Sequence, residues 1–371
     1  MIPTAAGLTA SARAVGVSER ALTPLLDALS AVSSDQRFEA TLLSLVERLN
    51  RRDLRALSEI EEWLATERRA SAFRLLIALL QLPTTLAKHA RRGVGEAMSV
   101  ETFRDLGLWV RHFDREEAGP GLTAEILAWA QEYLVGDLLK IDGLQFELKP
   151  SDRPLRVFVH NESGEAITFA EEGIAVGSDG LFALDGETAF VTRWFESDER
   201  VQGHVIEPRN GTIEREPFTL DLRDWRCVVE RGAPVLELHI PEDFRISRLS
   251  VARAIQSARQ VFARLQPGVM PRAAVGDAWL LDPQIRGALP RNRGIHDLQK
   301  YADLFPSALP EHRTLTRLFG VKATRMCVLM RPTESMNVLQ RSVVGILRTS
   351  RLNARGALIL LERAERLAVA P

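Results

Sequence analysis

Three Asp-Gly pairs, Asp142-Gly143, Asp179-Gly180 and Asp185-Gly186, punctuate short apolar runs such as LQFEL, LRVFVH and TAFVTRWF. Asp-Gly accepts the positive φ that tight turns between antiparallel strands require, so this texture commits the middle of the chain to hairpins and an antiparallel sheet. The chain before Asp142 has another period. Leu22, Leu25, Leu26 and Leu29 recur at helical spacing, as do Phe38, Leu42, Leu45 and Leu49, then Leu54, Leu57, Ile60 and Leu64. Phe103, Leu106, Val110 and Phe113 resume the pattern after a Gly/Ser break near RRGVGEAMS, and LTAEILAWAQEYLVGDLLK closes the block. No period repeats through it, which predicts a bundle and not a solenoid. At 371 residues the chain exceeds one ordinary core. The reading is α+β: a helical domain over 1–140, then a sheet-bearing domain over 141–371.

Beyond residue 230 strands and helices alternate. VLELHI reads as a strand. SRLSVARAIQSARQVFARL follows as a helix, with Leu249, Ala252, Ile255 or Gln256, Ala258 and Phe262 near helical spacing and Pro267-Gly268 past its end. RAAVGDAWLLD reads as another strand, PQIRGAL as a short helix opened by Pro283, VLQRSVVGILRTSR as a helix and GALILL as a last strand. Cys327, in TRMCVLM, reads as strand core.

Lys+Arg number 48 against 49 Asp+Glu, a net charge of −1, so composition carries no general attraction to nucleic acid or an anionic membrane. Only five of these residues are lysines (Lys88, Lys140, Lys149, Lys300, Lys322), few candidates for Schiff-base chemistry. Cys227 and Cys327 lie too far apart for a clustered zinc or disulfide framework, and a reduced setting is expected. The apolar run LLIALLQL stops at Pro83, short of the roughly 20 residues of a bilayer span. The N-terminus lacks a charged start followed by an apolar block, so the chain reads as soluble and cytoplasmic. No HxxxH, HxH or CxxC pattern occurs and no metal is expected; His89 and His112 read as parts of solvated, charged helix faces. The phosphate loop GxxxxGK[ST], the nucleophile elbow GxSxG and the dinucleotide loop GxGxxG are all absent.

One stretch carries chemistry. Along VLELHI the side chains alternate, so Glu237 and His239 share one face while Leu236, Leu238 and Ile240 share the other. Two ionisable groups on one face of a central strand line a wet cleft, where either serves as general base, or else satisfy each other within the sheet. The loop PEDFRISRLS then leads into a helix whose free N–H groups suit a phosphate, with Arg245 and Arg248 as nearby cations. Against this, Glu242 and Asp243 repel an anion and the loop lacks glycine, so a helix cap by Ser247 or Ser250 is the favoured reading. Asp282, next to Pro283, reads as a helix cap or as a group that positions an amine, and Trp279 as core or as a wall of the acceptor side.

In order, VETFRDLGLWVRHF, GPGLTAEILAWAQEYLVGDLLKIDGLQFEL, GHVIEPRNGTI, LRDWRCVVERGAPVLELHIPE, AWLLDPQIRGALP and PTESMNVLQRSVVGILRTS resemble the successive signatures of one bacterial family. Its members join a helical N-acyltransferase N-terminal domain to a GNAT-like C-terminal acyltransferase domain, and the resemblance runs from about Ser99 to about Leu361. It implies a mixed, mostly antiparallel sheet flanked by helices. An acyl thioester, on CoA or on an acyl carrier protein, would lie where two central strands part. The acceptor would be an amine on a small molecule or peptide, with neither nucleic acid nor membrane as partner. On this reading Glu237, His239 and Asp282 are catalytic, and Leu238, Ile240, Arg245, Arg248 and Ser250 hold the donor. Trp279, Asn292 and His296 face the acceptor. The chain departs from the family's pattern at Asp277-Ala278, where Cys-Ser is usual, at Asn292-Arg293-Gly294 before Ile295, where Asp-Ser-Asn is usual, and in its ending RLNARGALIL. These departures support a second reading, a GNAT-like binding or assembly module without turnover.

Overall fold

The computed structural model describes residues 2–115, 120–184, 186–289, 294–320 and 323–369; Asn292 and Arg293, singled out above, lie outside these. The chain divides into two compact units, Met1–Glu147 and Leu148–Pro371.

Among the described residues the first unit holds seven helices: α1 (Ala5–Ala14), α2 (Glu19–Ser33), α3 (Gln36–Asn50), α4 (Arg55–Leu64), α5 (Ala70–Arg92), α6 (Glu96–Arg115) and α7 (Ala124–Leu134). Leu22, Leu25, Leu29, Leu42, Leu45, Leu49, Ile60 and Leu64 are buried in one core, as their spacing predicts. Leu54 is the exception. It sits at the cap of α4 and is 56% exposed, one residue before the periodic face begins. Pro83 does not end its helix. α5 runs on to Arg92, and Thr85 and His89 extend the buried face beyond the proline, so packing outweighs one lost backbone hydrogen bond. By length and composition α5 is apolar enough to cross a bilayer, yet over half of its most apolar window is buried within the protein.

His89 is likewise not on a solvated face. It is fully buried, bonds the Ser99 hydroxyl through Nδ1 at 2.9 Å and stacks on Phe103. Burial first, then the Arg92 charge, pushes its pKa down to about 4. At the end of this unit β1 (Leu139–Ile141) pairs with β2 (Leu144–Pro150) across Asp142-Gly143, both at positive φ, as the Asp-Gly reading requires.

The second unit begins inside β2 and continues through short antiparallel strands: β3 (Leu155–His160), β4 (Ala166–Ala170), β5 (Ala175–Val176), β6 (Phe190–Val191), β7 (Phe195–Glu196), β8 (Arg200–Glu207), β9 (Thr212–Asp221) and β10 (Trp225–Val229). Then come β11 (Pro234–His239), α8 (Arg248–Leu265), β12 (Ala273–Ala278), a 3-10 turn (Trp279–Leu281), α9 (Pro283–Ala288), α10 (Gly294–Tyr301) and β13 (Asp303–Pro306). α11 (Glu311–Phe319), α12 (Arg325–Leu329), α13 (Val338–Thr349), β14 (Arg355–Leu360) and α14 (Leu361–Val369) complete it. The end of β2, then β11, β12, β14 and β13 lie side by side in the sheet that matters here. β11 and β12 are parallel, joined by the crossover helix α8, whereas β14 is antiparallel to both β12 and β13.

Two expectations fail in this unit. TRMCVLM is no strand: Thr324 caps α12 through the Cys327 amide, and Cys327 is exposed. Leu249 is 41% exposed on the first turn of α8, whose buried face runs through Val251, Ala252, Ile255, Ala258 and Phe262.

Candidate active site

β11 and β12 share only two register positions, Leu236 opposite Ala274 and Glu237 opposite Val275. Both strands continue beyond that point. β12 keeps its partner β14 as far as Ala278 opposite Arg355, so the ladder ends on the β11 side alone. There the Leu238 carbonyl faces Gly276 so closely that a Cβ at 276 would lie 2.2 Å from its oxygen. The strands therefore meet at a glycine and stop exchanging hydrogen bonds just past Glu237.

Glu237 is 4% exposed, and its carboxylate is held from two sides. Arg153, in the loop between β2 and β3, donates from Nη2 to Oε1 at 2.5 Å, and Lys149 stands 3.8 Å from Oε2. The same Arg153 Nη2 lies 2.5 Å from Oδ2 of Asp277 on β12. Burial nevertheless dominates. It pushes the Glu237 carboxyl up to about 7, against the Arg153 and Lys149 charges and with the help of the Asp277 and Asp152 carboxylates. His239, two residues along the same face, goes the other way: burial and the same two cations push it down to about 3, so it is neutral at pH 7. The alternation that put both groups on one face is real, and the environment drives their pKa values apart.

Past β11 the loop enters α8 through a capping box. The Ser247 hydroxyl accepts from the Ser250 amide and the Ser250 hydroxyl accepts from the Ser247 amide, each at 3.0 Å. Ser250 thus holds the helix end itself. The loop is pinned at Gly294, where a Cβ would lie 1.7 Å from the Ile246 carbonyl oxygen. Arg245 and Arg248 are both exposed beside the first turn, and among the described residues neither has an ion-pair partner. Glu242, expected to repel an anion there, pairs with Arg317 of α11 at 3.4 Å. Leu238 is buried, and Ile240 is half-buried just past the strand.

Asp282 is a structural cap. Its Oδ1 accepts from the Gln284 amide at 2.9 Å and its Oδ2 from the Asn353 amide at 2.7 Å, in a side chain only 1% exposed. Both oxygens are engaged by backbone amides, which is the helix-cap reading of this residue. Trp279 packs half-buried against the cluster of Ile285, Leu315, Phe319 and Val344. His296 is buried, with Nε2 3.3 Å from the Leu289 carbonyl. Sequence reading missed Arg153, and it saw Lys149 and Asp277 only as a lysine count and a departure from a motif. Among the described residues no group of three or more His, Cys, Asp or Glu side chains stands ready to hold a metal ion.

A parallel pair of strands whose ladder ends ahead of a crossover helix, with a carboxylate at its last paired position, is the arrangement of a GNAT-like acyltransferase fold. Residues 7–136 match the N-acyltransferase N-terminal domain and residues 138–356 the GNAT-like C-terminal domain, and the chain belongs to this family. Among solved structures it is similar to a mutant acyltransferase in complex with octanoyl-CoA, at 20% identity and a TM-score of 0.61, over 97% of this chain and 90% of that one. An acyltransferase in complex with decanoyl-CoA and teicoplanin is similar at 19% identity and a TM-score of 0.60, over the same shares of the two chains. A comparison with curated proteins finds no match.

Proposed function

We propose that the chain transfers an acyl group from a CoA thioester to an amine on a small molecule or peptide, with Glu237 as general base. One observation carries the reading: a buried carboxylate whose pKa lies near 7 stands where the β11–β12 ladder ends. The fold points the same way, since similar acyltransferases hold octanoyl-CoA or decanoyl-CoA, and one of them holds teicoplanin as well. The pantetheine arm would meet the backbone past Leu238, and Arg245 and Arg248 would take the phosphates. An incoming ammonium gives one proton to Glu237, and the freed nitrogen attacks the thioester carbonyl carbon. The C–S bond then breaks, and the thiolate takes up the second proton that the nitrogen releases. His239, neutral at pH 7, shapes the wall of the site without competing for that proton.

Incubation with octanoyl-CoA and a primary amine, read as free-thiol release and amide mass, tests this. Turnover in the wild type that Glu237→Gln abolishes is expected; a Glu237→Gln variant as fast as the wild type would overturn the role of Glu237. The engagement of Glu237 by Arg153 favours a second reading, a domain that binds the thioester without turnover. Octanoyl-CoA binding with no amide formed from any amine would select it.

A further inference from the structure

The guanidinium of Arg153 has an unusual seat. One nitrogen, Nη2, serves two carboxylates on two strands, Glu237 on β11 and Asp277 on β12, while Nη1 reaches outward to Asp152 at 2.8 Å. Its Nε is buried with no hydrogen-bond partner, so the group is not fully accommodated where it lies. Asp152 is 69% exposed, and the guanidinium already touches it; letting go of the inner pair therefore leaves Arg153 with a solvated partner instead of a bare charge. Once it has let go, the cation that bridged Glu237 and Asp277 is gone from between them, and Lys149 stays beside Glu237 alone. The opening is on the Asp277 side, because the Asp277 side chain is 20% exposed and that of Glu237 only 5%.

Resting on the acyl-transfer reading above, we infer that the seat between Glu237 and Asp277 receives the acceptor's own ammonium group, and that Arg153 keeps the place until the acceptor arrives. Asp277 is then the specificity-determining residue for a cationic primary amine over a neutral alcohol, and Arg153 swings to Asp152 to admit it. A molecule without a positive charge has nothing to exchange for the guanidinium.

The test uses n-butylammonium chloride as probe, with tetramethylammonium and sodium chloride as controls, read by thermal shift on the full chain with octanoyl-CoA titrated separately. If Arg153 fills the seat about nine-tenths of the time, it imposes about a tenfold penalty on a competing cation. Arg153→Met is therefore expected to respond to butylammonium at about tenfold lower concentration than the wild type. Asp277→Asn in the Arg153→Met background should erase the response. An Arg153→Met variant no more responsive than the wild type, or a response that survives Asp277→Asn, overturns the inference. Should Arg153→Met fail to fold, a crystal of the wild type soaked in butylammonium decides. Its nitrogen must lie between Glu237 and Asp277 with Arg153 turned to Asp152, and an unmoved Arg153 refutes the exchange. Loss of octanoyl-CoA binding with the butylammonium response intact would sink the acyl-transfer reading and leave the cation seat standing; the reverse would sink only the seat.

Discussion

The carbonyl oxygen of Leu238 rests against Gly276, and no other residue fits there. A Cβ at 276 would sit 2.2 Å from that oxygen, and the obstacle is backbone. Gly276→Ala must therefore push β11 and β12 further apart or tilt the Leu238 peptide. We expect a loss of about 2 kcal/mol or more in urea unfolding, together with loss of octanoyl-CoA binding. Gly345→Ala is the control. It lies on the exposed face of α13 with nothing within 4 Å of its Cβ, and should stabilise by about 0.5–1 kcal/mol.

Glu237 sets a pH dependence of definite sign. Burial pushes its carboxyl up to about 7 in the folded chain, from the 4.5 of a solvated glutamate. As a base it must be ionised, so kcat/KM should rise with unit slope up to about pH 7 and then level off. Asp277→Asn removes a charge that raises this pKa and should move the limb to lower pH; Arg153→Met removes one that lowers it and should move the limb up. For stability the folded state holds the proton more tightly. The contribution is therefore full below about pH 4.5 and is lost as pH rises through 7, about 3 kcal/mol in all. His239, with its folded pKa depressed to about 3, works oppositely: its contribution is present above about 6.5 and lost as pH falls toward 3. Comparing wild-type and Glu237→Gln unfolding from pH 4 to 8 isolates the glutamate; parallel curves would refute the assignment.

The donor side gives a separable prediction. Arg245 and Arg248 stand exposed beside a helix start whose hydroxyl caps are already used by Ser247 and Ser250. If they contact the CoA phosphates, replacing both with Ala should raise KM for octanoyl-CoA about tenfold and flatten its salt dependence, leaving the amine's KM unchanged. An effect on the amine's KM alone would place these arginines on the acceptor side instead.

What the sequence made legible follows from ranges of interaction. The period of two along VLELHI placed Glu237 and His239 on one face, and the Asp-Gly pair at 142–143 fixed a turn, because both signals act within a few residues. The Pro283 start and its Asp282 cap were local as well. Arg153 was invisible, since its partner Glu237 lies 84 residues along the chain and no local pattern singles it out. TRMCVLM went wrong for another reason: a short apolar run fits a strand or a helix equally, and only the cap at Thr324 decides. His89 shares its helix with the basic neighbours that suggested solvation, while its own side chain turns inward to Ser99 and Phe103.

Asp282 separates structure from catalysis. Its carboxylate closes the start of α9 and also holds the Asn353 amide just before β14, so it ties two segments of the second unit together. Burial pushes its pKa up, whereas these two amide bonds pull it down. Asp282→Ala orphans two buried donors and should destabilise by about 2–4 kcal/mol. Asp282→Asn keeps one acceptor oxygen and should cost less, about 1–2 kcal/mol. Because each oxygen is held by a backbone amide of the fold, kcat per folded molecule for Asp282→Asn at a temperature well below its unfolding midpoint should match the wild type. A fall of a hundredfold or more in that folded variant would mean that the carboxylate leaves its cap during turnover, and the role of the amine's base would have to be reopened between Asp282 and Glu237.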